Sequence, residues 1–79
     1  MAVKKNAKAQ KLKLRVEEEG KRRYISVPSA RAGDLHDYLR SNRVYSAPPE
    51  PAYTGTDYIE LNVGVDIVRV QALLDAWSL

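Results

Sequence analysis

From Lys11 to Glu17 the chain alternates without a break: Leu12, Leu14 and Val16 fall on one side, Lys11, Lys13, Arg15 and Glu17 on the other. A period of two with one apolar side is the mark of a half-buried strand. Arg22 to Val27 repeats the pattern, with Ile25 and Val27 inward. Between the two runs lies Glu18-Glu19-Gly20-Lys21, where Gly20 can supply the positive φ of a tight hairpin. A two-residue loop at Glu19-Gly20 or at Gly20-Lys21 keeps Leu14, Val16, Ile25 and Val27 on one face. The first of these registers sets Arg15 opposite Tyr24. A hairpin so early commits the chain to an antiparallel sheet.

Pro28 stops the second strand, and Ser29 is placed to cap a helix running to about Ser41, with Asn42 as its stop. Ala32, Leu35, Tyr38 and Leu39 form the apolar stripe of that helix. Gly33 weakens its first turn, so Asp34 is an alternative cap. Arg43 to Ser46 reads as an optional short edge strand. Ala47-Pro48-Pro49-Glu50-Pro51-Ala52 lacks amide donors at three positions and is excluded from a central ladder. It reads as a stiff connection that shields a sheet edge, or else as a polyproline ligand for an aromatic groove. Thr56 to Val63 is the next strand, with Ile59, Leu61 and Val63 inward. Gly64 breaks it, Asp66 caps a final helix, and Val65 with Val70 occupy the positions of a hydrophobic staple. Val70, Leu73, Leu74 and Trp77 line the buried side of that helix. Trp77 either closes the core or is shared with a second subunit.

The expected fold is therefore α+β, a two-layer sandwich. A mostly antiparallel sheet of three to four strands carries two helices on one face, in the order β-β-α-(β)-β-α. With 79 residues and 8.9 kDa there is room for one domain, at 11–79, preceded by a flexible basic arm at 1–10. Tyr24-Ile25-Ser26-Val27 and Tyr58-Ile59-Glu60-Leu61 echo one another, each ending a strand that leads into a helix. The helices that follow align poorly, which favours chance over an internal repeat.

Several chemistries are excluded by residue type. There is no cysteine and one histidine, which removes disulfides, thiol nucleophiles and cysteine-based metal sites. His36 sits beside Asp37 and two residues from Asp34, spacings that point side chains apart on a helix. The run Glu17-Glu18-Glu19 splays along a strand and turn. The four glycines are too scattered for a phosphate loop. No enzyme activity, cofactor, metal or small-molecule substrate is expected. No apolar run approaches the roughly 20 residues of a membrane span, and no apolar segment follows the basic start, so the expected location is cytoplasmic.

Charge carries the remaining signal. The net charge is +3, but residues 1–23 hold nine basic groups against three acidic ones, and the rest of the chain is net acidic. If both helices cover one side of the sheet, the other side presents Lys11, Lys13, Arg15 and Glu17, then Arg22, Tyr24 and Ser26, then Tyr58, Glu60 and Asn62. Basic groups interleaved with aromatic rings suit a single-stranded nucleic acid: rings stack on bases while cations neutralise phosphates. The leading expectation is a non-enzymatic nucleic-acid-binding module acting through the basic arm and Lys11, Lys13, Arg15, Arg22, Tyr24 and Tyr58. The alternative is a protein-interaction or homo-oligomerisation module, since Tyr and Arg are common interface anchors.

Overall fold

The computed structural model describes residues 14–77. Its elements run β1 (Val16–Glu19), β2 (Arg22–Pro28), α1 (Ser29–Ser41), β3 (Glu50–Tyr53), β4 (Thr56–Glu60) and α2 (Ile67–Ala76). The four strands form one antiparallel sheet in the order β1-β2-β4-β3. Both helices cover the same side. Ala32, Leu35 and Leu39 of α1 and Val70 and Leu74 of α2 pack on Ile25, Val27, Ile59 and Leu61 in one cluster. The α+β two-layer sandwich expected from the sequence is the observed architecture.

The β1–β2 hairpin takes the register with Gly20-Lys21 as its loop: Glu19 pairs with Arg22, Glu17 with Tyr24 and Val16 with Ile25. Gly20 has φ 62°, the left-handed conformation that its missing Cβ permits. Tyr24 therefore faces Glu17, and the opposition of Arg15 to Tyr24 does not occur. Alternation from Leu14 to Glu17 is as expected, while Leu12 and the arm at 1–10 lie outside the described residues.

The fourth strand is not Arg43–Ser46. Arg43 sits at φ 65°, and its amide and that of Val44 donate back to the carbonyls of Arg40 and Leu39. This is a Schellman closure of α1, with Val44 tucked into the core as its hydrophobic contact. Only Ser46 reaches the sheet, as an isolated bridge to Leu61. The strand is instead Glu50–Tyr53, beginning inside the proline-rich segment. It is an edge strand, where Pro51 can be tolerated, and its register shifts between Pro51 and Tyr53. β4 is shorter than the alternation implies: it ends at Glu60, Leu61 is buried, and Val63 is 93% exposed in the loop before α2.

Helix starts differ in kind. Asp66 caps α2 by accepting from the Arg69 amide at 3.2 Å. Ser29 does not cap α1; it is the first helical residue, and its hydroxyl donates to Asp57 Oδ1 at 2.5 Å. The helix also runs straight through Gly33, so Asp34 is interior and pairs with Arg31. Trp77 is half-buried at the seam between the helices. Its ring stacks on Tyr38 with centroids 6.1 Å apart, and the Arg31 guanidinium lies 4.8 Å from its centre.

Two identical ββα plans make up the domain. β3 begins 34 residues after β1, and β4 begins 34 residues after β2. In the central pair Ile25 faces Ile59, Tyr24 faces Glu60 and Ser26 faces Tyr58. That register is what a two-fold axis through the Ile25–Ile59 pair produces. The buried stripes of the helices align in sequence at an offset of 35, Ala32, Leu35 and Leu39 with Ile67, Val70 and Leu74, but α1 packs over β2 and β4 whereas α2 packs over β1. A one-residue insertion before α2 separates the two offsets.

Candidate interaction face of the sheet

Strand alternation sends Arg23, Ile25 and Val27 toward the helices and Arg22, Tyr24 and Ser26 to the opposite side. The same rule on β4 turns Ile59 inward and Tyr58 and Glu60 outward. Antiparallel pairing then brings these outward residues together. Tyr24 and Tyr58 stack with centroids 4.6 Å apart and planes tilted by 40°. Tyr53 meets Tyr58 edge-on at 5.8 Å, and the Tyr58 hydroxyl donates to the Tyr53 hydroxyl at 2.9 Å. Arg22 extends the row, its guanidinium 5.7 Å from the Tyr24 ring centre.

Carboxylates border this row. Arg22 is held by Glu60 at 3.3 Å, a bond that raises its pKa above the ordinary value. Glu17 accepts from the Ser26 hydroxyl at 3.1 Å. Glu19 stands opposite Arg22 and Glu50 opposite Tyr58, both exposed. The phenols register the crowding. Tyr58 is pushed up to about 12, first by its hydrogen bond to Tyr53 and then by loss of solvent. Tyr24 is also raised, chiefly by burial and then by Glu17 and Glu19.

Of the six binding residues expected on this face, Arg22, Tyr24 and Tyr58 form one contiguous group. Arg15 is exposed and lines a shallow groove of about 260 Å³ at the neighbouring end of the sheet, together with Glu17, Ser26, Pro28 and Thr56. Lys11 and Lys13 lie outside the described residues. Glu17 and Glu60 lie on this face as strand parity predicts, and Tyr53, Glu19 and Glu50 are the members that sequence reasoning missed. The Thr54-Gly55 turn was the available signal for Tyr53, since a hairpin loop there obliges a strand on each side.

Electrostatics of the face are the reverse of a phosphate-binding surface. Its described ionic groups are Arg15 and Arg22 against Glu17, Glu19, Glu50 and Glu60. Residues 14–77 carry eight basic and ten acidic side chains, whereas residues 1–13 hold five lysines and no acid. Tyrosine rings present a negative quadrupole to cations, and carboxylates beside them add to that field. The arrangement is suited to receiving positively charged side chains.

The edge of the sheet nearest the basic segment is tied down. Gln71 of α2 accepts from the Val16 amide at 3.0 Å and donates to the Leu14 carbonyl at 3.1 Å. Its side-chain amide completes the ladder of β1 as a further strand would. Among the described residues no group of three or more His, Cys, Asp or Glu is arranged to hold a metal ion, and no helix is long and apolar enough to cross a membrane. Compared with models of protein families, with curated proteins and with solved structures, the chain shows no match.

Proposed function

We propose that the chain is a non-enzymatic binding module whose tyrosine face receives a basic segment of a protein partner. One observation carries this reading: Arg22, Tyr24, Tyr58 and Tyr53 form a continuous row on the side of the sheet opposite the helices, bordered by four glutamates. Aromatic and arginine side chains concentrate interface energy, and a carboxylate border selects lysine or arginine on the partner. Calorimetric titration with a lysine-rich peptide and an acidic peptide of equal length tests it. The lysine-rich peptide is expected to bind with an affinity that falls with salt, and Glu50→Lys or Glu60→Lys to weaken it. Equal behaviour of the two peptides, or binding of neither, overturns the reading.

A second reading rests on a separate observation, the five lysines of residues 1–13. In it those lysines, with Arg15, engage the phosphates of a single-stranded nucleic acid while exposed Tyr53 offers a ring for stacking. It requires steeply salt-dependent oligonucleotide binding that is lost on Lys13→Glu or Arg15→Glu. No binding at low salt ends it.

A further inference from the structure

Building on the reading of the tyrosine face as a receptor for basic segments, we propose that residues 1–13 of this same chain are its resident occupant. An outside partner then binds by displacing them. Charge is the first ground: the segment carries five lysines and no acid, and the face carries four glutamates against two arginines. The glutamates also flank rings able to take an ammonium group on their faces.

Connection is the second ground. The segment joins the fold at Leu14, and the bonds from Gln71 to Leu14 and Val16 fix the point where it leaves the sheet. The groove between Arg15, Glu17, Ser26, Pro28 and Thr56 opens beside that point. Beyond Thr56 lie its pair partner Tyr53, 68% exposed, and Tyr58. Crossing from β1 to β3 covers three strand spacings, about 14 Å. Thirteen residues reach about 43 Å when extended, so the length outside the described fold is ample. A tether this short holds the segment near the face at an effective concentration on the order of millimolar, enough to occupy a weak site.

The experiment uses full-length protein and a synthetic peptide with the sequence of residues 1–13. Its affinity is measured for the unmodified chain and for a variant in which Lys4, Lys5, Lys8, Lys11 and Lys13 are all changed to glutamine. With the tethered segment disarmed, the peptide is expected to bind about threefold more tightly or better. Equal affinity for both proteins overturns the proposal while leaving the tyrosine face as a receptor. Binding to neither overturns the receptor reading itself. Proton NMR of the free proteins gives an independent readout. Salt is expected to shift the ring resonances of Tyr24, Tyr53 and Tyr58 in the unmodified chain, to leave Tyr45 in place, and to have no such effect in the variant. Rings that ignore salt in the unmodified chain overturn the proposal without any substitution.

Discussion

Tyr24 and Tyr58 occupy equivalent positions in the two ββα units and meet across the central β2–β4 pair, ring centroids 4.6 Å apart. Neither unit alone would present a stacked pair. The face is thus a product of joining the halves, and its third ring, Tyr53, comes from the edge strand of the second unit only.

That third ring controls the ionisation of the second. Tyr58 is raised to about 12 with the Tyr53 hydrogen bond as the leading cause, so Tyr53→Phe is expected to bring it down toward 10. The folded value lies above the unfolded one, so the linked stability is complete below about pH 10 and is lost as pH rises toward 12. Ultraviolet titration of tyrosinate in both proteins checks the shift. An unchanged curve in Tyr53→Phe sinks it.

Gln71→Leu removes the side chain that satisfies Val16 and Leu14. Leaving part-buried backbone groups without partners costs about 1–3 kcal/mol. Urea denaturation should show that loss, and amide exchange at Val16 should accelerate. The freed β1 edge also makes association at high concentration an expected side effect.

Arg43→Gly is expected to stabilise the protein. A non-glycine residue in the left-handed region costs roughly 1–2 kcal/mol, of which glycine's greater unfolded-state entropy returns about 0.5–1. A net gain of up to about 1.5 kcal/mol should appear as a higher melting temperature. A fall in stability would mean that the Arg43 side chain contributes more than its backbone costs.

Ile59 and Val63, alike in sequence character, are expected to part company. Ile59→Ala opens a cavity in a site with no solvent exposure and should cost about 2–5 kcal/mol. Val63→Ser, at 93% exposure, should change stability by less than about 0.5 kcal/mol. Chemical denaturation of the pair decides it.

Much of this fold is written in periodicity that a reader of the sequence can follow. Leu14, Val16, Ile25 and Val27 alternate cleanly around Gly20, and the helix stripes and the Asp66 cap stand where they are expected. The third strand hides because its pattern is polluted: Pro51 removes a donor and the register shift breaks the alternation before Tyr53. Arg43–Ser46 looks like a strand by composition, yet the closure of α1 takes its first two residues through backbone bonds that no side chain announces. Val63 continues the period of β4 on paper, but the strand has already ended and the chain is turning toward α2.

The repeated element order was half legible. Tyr-Ile at 24–25 and at 58–59 marks it, but the helices match only after a one-residue shift, and a fixed-offset comparison loses them. The site was legible in Tyr24, Tyr58, Glu17 and Glu60, and illegible at the edge strand that brings Glu50 and Tyr53. Strand parity places Tyr24 and Tyr58 together, whereas the approach of Glu17 to Ser26 and of Glu60 to Arg22 depends on the register chosen across strands.

Positions on the two-fold axis differ in kind from all others in this domain. Ile25 and Ile59 pair with one another across the centre of the sheet, so a change in one alters the surroundings of the other. Glu17 and Glu19 in the first edge strand correspond to Pro51 and Tyr53 in the second. One edge carries charge where the other carries a ring and a proline. A doubled scaffold with a shared centre thus gives a small domain two differently equipped borders on a single core.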